Sequence, residues 1–136
     1  MFAKDSDKRT DKRLIGDQIE EKAVHFLAEK GLTIISQNYL CKMGEIDIIA
    51  RDKNGLVFIE VRYRKGDLFG GSAFSVNKSK QQKLIRAAEH YLQTHRLTNK
   101  IACRFDVIAI EGKIAFGKPL AAEQINWIKG AFDAKP

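Results

Sequence analysis

Two alternating runs joined by one turn signal constrain this chain more than anything else in it. Along Glu45–Arg51 and Leu56–Arg64, apolar and polar residues alternate with the period of two that a strand imposes. Asp52-Lys53-Asn54-Gly55 between them is a hairpin turn signal. Helical periodicity flanks the hairpin. It runs from Thr10 or Asp11 to Lys30 with Ile15, Ile19, Ala23, Phe26 and Leu27 on one face, and Gly31 is its stop. It returns over Lys78–His95 with Leu84, Ala88, Tyr91 and Leu92 inward. Leu32–Leu40 and Arg104–Ile110 read as further strands, and Lys113–Gly117 as a short one. The tail around Ile125–Ile128 fits a strand or a helical turn. The order α-β-β-β-α-β makes the chain α/β, and 136 residues suit one domain with a core of its own.

Composition sets the class. Hydrophobic residues make up 44% and charged residues 30%, the profile of a soluble globular protein. No apolar run is long enough for a membrane span, and the start lacks a secretory pattern. Cys41 and Cys103 fall outside any C-x-x-C pattern and read as reduced, buried thiols, which points to the cytoplasm. The net charge of +7 is unevenly placed: residues 14–60 carry −3 and residues 61–86 carry +6. Such a basic block favours polyanions, nucleic-acid backbones above all, though a basic solvated surface explains it equally.

The chemistry concentrates on the hairpin. Glu45 and Asp47 share one face, with Ile46 and Ile48 on the other, and Glu60, Arg62 and Arg64 share a face of the next run. Any even-length turn places Glu45, Asp47, Glu60 and Arg62 together, and a bulge would split them. Opposed carboxylates repel and need a cation. Arg62 could supply it as an ion pair, or an all-oxygen site could take Mg²⁺ or Mn²⁺. Glu20, at the edge of the first helix's stripe, reads as a third carboxylate over the sheet or as a solvated flank. Lys80 near the start of the second helix, capped by Ser75 or Asn77, suits a phosphate; Lys83 and Arg86 point outward. The glycine-containing loop from Gly66 to Phe74 could stack a base on Phe69 or Phe74. His25, His90 and His95 have no metal-ligand spacing.

Residues 44–64, Gly-Glu-Ile-Asp-Ile-Ile-Ala through Val-Phe-Ile-Glu-Val-Arg-Tyr-Arg, resemble the core of PD-(D/E)XK nucleases. Over residues 14–132 the chain resembles the YraN-like family of uncharacterised bacterial proteins, described as relatives of Holliday-junction resolvases. The resemblance rests on Ile19-Glu20 before Ala23, Gly31, Asn38, the Gly-Glu-Ile-Asp run, Lys80 before Ala-x-x-Tyr-Leu, and Arg104-Phe105-Asp106-Val107. It implies a restriction-endonuclease-like αβββαβ core, a central mixed sheet flanked by helices. Residues 14–136 would be one endonuclease-like domain, with 1–13 a basic extension continuous with the first helix.

The resemblance further implies a metal-dependent nuclease acting on DNA, including branched or damaged structures, with Mg²⁺ or Mn²⁺ as cofactor. Asp47 and Glu60 would be metal ligands, Glu20 a supporting acid, and Lys80 would contact substrate or order the site; Lys83, Arg64 and Lys78, from the basic block, join Lys80 as candidate nucleic-acid contacts on charge. A homodimer would suit a two-fold junction. One departure stands out: Arg62 occupies the position of the superfamily's lysine. Arginine stabilises charge but does not give up a proton, so the alternative is a degenerate nuclease fold that binds nucleic acid without cutting it. A domain docking an acidic protein partner is the third reading.

Overall fold

Gly31 takes a left-handed conformation (φ +96°) that L side chains avoid, and the first helix stops there. The Leu32 N–H reaches back to the Leu27 carbonyl at 3.1 Å, and the Leu32 side chain is buried beneath the turn. The computed structural model describes residues 4–65, 76–115 and 117–134, with side chains from residue 14 onward. Helix α1 spans Lys4–Glu29, so it begins several residues before the apolar stripe does. Strands β1 (Thr33–Cys41), β2 (Gly44–Asp52) and β3 (Gly55–Arg64) follow. Helix α2 (Lys78–Thr94) then leads to β4 (Cys103–Glu111), a single 3₁₀ turn (Ala122–Gln124) and β5 (Ile125–Phe132).

The five strands form one sheet in the order β1-β2-β3-β4-β5, antiparallel throughout except for the parallel β3–β4 pair. A parallel pair needs a crossover, and α2 supplies it. The expected mixed sheet with flanking helices is therefore present. Two expectations change: Lys113–Ala115 form no strand, and the tail is the fifth strand rather than a helical turn.

Each helix covers one face. Ile19, Ala23 and Leu27 of α1 pack on Ile48, Ala50, Val57, Ile59, Ile108 and Ile110. Leu84, Ala87, Ala88 and Tyr91 of α2 pack on Ile49, Leu56, Phe58, Phe105 and Val107. Ile15, expected on the buried stripe, is 43% exposed because α1 extends past the sheet there. The thiols also differ from expectation: Cys41 is half-buried and Cys103 exposed, both of them free.

Glycines hold two close approaches. A Cβ on Gly55 would lie 2.2 Å from the Ala102 carbonyl oxygen, where Leu56 N–H donates at 2.9 Å and ties β3 to the entry of β4. A Cβ on Gly44 would meet Lys83 Cβ at 3.4 Å, so the β1–β2 turn rests against α2.

Candidate metal and nucleic-acid site

The β2–β3 turn is centred on Lys53-Asn54, with Asp52 opposite Gly55. Asp52 Oδ1 accepts from the Asn54 and Gly55 N–H groups at 2.8 and 3.0 Å, closing the turn with a side chain. This even-length turn sets the register at Ile48–Ile59, where the backbone ladder ends. Beyond that point a side chain takes over: Asp47 Oδ2 accepts from the Val61 N–H at 2.8 Å.

Strict alternation breaks at Asp47. Ile46 packs on the α2 side and Ile48 on the α1 side, correcting the expectation that they share a face. On the neighbouring strand β1 pairs through Gln37–Ile48 and Tyr39–Ile46, and Asn38 between them adopts φ +53°. Asparagine tolerates that left-handed conformation better than most residues. Asp47, at this irregularity, lies beside Glu60 and within the field of Glu20 on α1.

The expected Asp47–Glu60 juxtaposition is present, and it is electrostatically uncomfortable. Burial first, and the Glu60 carboxylate second, push the Asp47 carboxyl up to about 7, and the Val61 N–H only partly opposes them. Glu60 is buried. Its counter-charge is Lys80, whose Nζ lies 3.2 Å from Glu60 Oε2. Asn77 aims Lys80 by capping α2, its side chain accepting from the Lys80 N–H at 2.8 Å. Ser75, the other candidate cap, lies outside the described residues, as do Phe69 and Phe74.

Glu20 is half-buried, and burial followed by the fields of Asp47 and Glu45 pushes its carboxyl to about 7, against a hydrogen bond from Asn38. Its Oε1 is buried without a hydrogen-bond partner. Even so, among the described residues no three of His, Cys, Asp and Glu converge tightly enough to hold one ion. The site is thus a carboxylate pair with an acidic neighbour rather than a three-carboxylate cage.

Arg62 is half-buried and forms no ion pair among the described residues, so the compensating cation of the pair is Lys80. Arg64, Lys78 and Lys83 are exposed, as is Arg86, and none touches the pair. The donor set is all oxygen. Two carboxylates that repel, beside an unpartnered carboxylate oxygen, suit a hard divalent cation that keeps waters or takes phosphate oxygens in its other positions.

A second acidic centre is structural. Asp106, fully buried on β4, accepts from Arg104 Nε at 3.0 Å, Trp127 Nε1 at 2.8 Å and the Gly130 N–H at 2.9 Å. Arg104 also pairs with Asp52 at 2.6 Å, so one chain of contacts crosses β2, β4 and β5. Within it Asp52 is held below the usual carboxylate range: desolvation pushes it up, but the Asn54 N–H and Arg104 outweigh that.

The chain is thus an α/β domain with a carboxylate pair at an interrupted hairpin. The sequence profile of the uncharacterised protein family UPF0102 matches residues 19–110, and the chain belongs to that family. A UPF0102 protein of Legionella pneumophila (strain Corby) is 44% identical over 119 residues, covering 88% of this chain and 94% of its own length. One from Psychromonas ingrahamii is 50% identical over 113 residues, 83% of this chain and 84% of its own. One from Pseudomonas syringae pv. syringae is 44% identical over 126 residues, 93% of this chain and 98% of its own. Among the described residues no helix is long and apolar enough to cross a membrane.

Proposed function

We propose that the chain is a metal-dependent phosphodiesterase acting on DNA, in the manner of the PD-(D/E)XK nucleases that its hairpin resembles. The observation that carries the reading is the Asp47–Glu60 pair, a half-buried and a buried acidic side chain held together against their repulsion. Mg²⁺ or Mn²⁺ held by Asp47 and Glu60 would supply Lewis-acid activation of a phosphodiester and of an attacking water. Lys80, at the first turn of α2, neutralises Glu60 and faces the phosphate; Arg62 stabilises charge developing on it. Glu20 holds a proton near neutral pH beside the pair. The exposed Lys78, Lys83 and Arg64 supply phosphate-backbone contacts.

Purified protein incubated with linear, flapped and four-way-junction DNA in EDTA, Mg²⁺ or Mn²⁺ tests the reading. Cleavage is expected only with metal. Asp47→Asn and Glu60→Gln, folded by circular dichroism, should each lose at least about a hundredfold in rate, in line with removal of a charge-stabilising group. Full activity in both variants would overturn the reading. Metal-independent, salt-steep binding without cleavage, unchanged in both variants, would establish the binding-only alternative that Arg62 favours.

A further inference from the structure

Lys80 sits where the carboxylate pair needs positive charge. Its Nζ is 3.2 Å from Glu60 Oε2, yet its side chain is 46% exposed, so it is a cation at the rim reaching in. Glu60 is buried, and among the described residues no other Lys or Arg pairs with it or with Asp47. Two cations cannot both occupy the Glu60 oxygens without repelling. Like charges that close repel appreciably at the effective dielectric of a protein surface, and salt and water reduce the repulsion without removing it.

Resting on the nuclease reading above, we propose that Lys80 exchanges with the divalent cation. Without metal its ammonium is the counter-ion of Glu60. With metal on Asp47 and Glu60, the same ammonium is released at the rim to take a substrate phosphate. Three features support the second position. The stem starts in the capped first turn of α2, where helical amide groups already favour an anion. The Nζ end is not enclosed. Lys78 and Lys83, exposed on the same helix, extend the positive rim. Metal and nucleic acid are then positively coupled through one side chain, and by linkage each strengthens the other.

Calorimetric titration of Mg²⁺ into the full chain, Lys80→Ala, Lys80→Met and Lys83→Ala tests the exchange without an activity readout. Removing the Lys80 charge should tighten Mg²⁺ binding by roughly fivefold, the low end of typical coupling, because the Nζ is partly solvated. Lys83→Ala should match the parent within about twofold. Lys80→Met keeps most of the stem, so it reads charge loss even where the alanine variant folds poorly. A companion measurement follows a short labelled duplex by anisotropy with and without Ca²⁺. The metal should strengthen duplex binding by roughly fivefold more in the parent than in either Lys80 variant, where only direct contact between metal and phosphate remains. Equal or weaker Mg²⁺ binding by both Lys80 variants, or a Ca²⁺ gain as large in them as in the parent, overturns the exchange and leaves the metal site standing. No Mg²⁺ binding by any of the four proteins overturns both.

Discussion

Two acidic centres lie in the same sheet and are solved in opposite ways. At Asp106 a buried carboxylate meets Arg104, the Trp127 indole N–H and a backbone N–H, so every direction of approach is used. At Asp47 and Glu60 two carboxylates face each other with one backbone donor and one half-exposed lysine between them. The first arrangement completes itself; the second is short of positive charge. A carboxylate satisfied from within the fold holds strands together, whereas a pair left short of positive charge is what the proposed cation site requires.

The contrast is broken most severely at Asp106. Asp106→Ala removes one of the two carboxylates paired with the partly buried Arg104 and orphans two further donors, and should cost about 3–5 kcal/mol in chemical denaturation. A loss below about 1 kcal/mol would show that the centre is not the structural node described. Trp127→Phe keeps the edge contact with Phe26 but removes the indole donor. It should cost about 1.5–3 kcal/mol by the same assay, the usual range for a hydrogen bond to a charged group.

At the other centre the sign reverses. The Asp47 carboxyl stands at about 7 in the folded chain against an ordinary 3.8, so the folded state holds a proton that the unfolded chain releases between those values. Stability from this group is complete below about pH 4 and declines as pH rises through 7. Asp47→Asn mimics the protonated form and removes that decline. At pH 8 it should gain about 1–2 kcal/mol over the parent, with the gain gone by pH 4; the figure is discounted for partial exposure. Destabilisation at pH 8 would mean that the charged form is the satisfied one. Smallest of all, Lys83→Ala should change stability by less than about 0.5 kcal/mol and lower the salt slope of DNA binding by about 1.

Much of this was legible from residue order. The hairpin turn, the two helical stripes and the Asp47–Glu60 pairing follow from period and turn length, because an even turn leaves little freedom in register. The break at Asp47 was not legible: nothing in Glu45-Ile46-Asp47-Ile48 distinguishes a regular strand from one whose faces switch mid-run. Asn38, a residue suited to left-handed backbone, was the only local sign of it. The cation beside Glu60, left open between Arg62 and a metal, was not legible either. Arg62 is two residues away in sequence but forms no ion pair among the described residues, and the cation that does, Lys80, comes from α2, twenty residues further along the chain. Asp106 carried no signal of its donors either, since Trp127 and Gly130 reach it only once the tail becomes a strand.

The central claim is that the Asp47–Glu60 pair is a site for one divalent cation. Mn²⁺ titration followed by loss of the free-ion electron paramagnetic resonance signal tests it directly. The parent chain should bind one Mn²⁺ near the pair, more tightly as pH rises above 7, and Asp47→Asn and Glu60→Gln should each weaken binding at least about tenfold. Equal Mn²⁺ binding by the parent and both variants would contradict it.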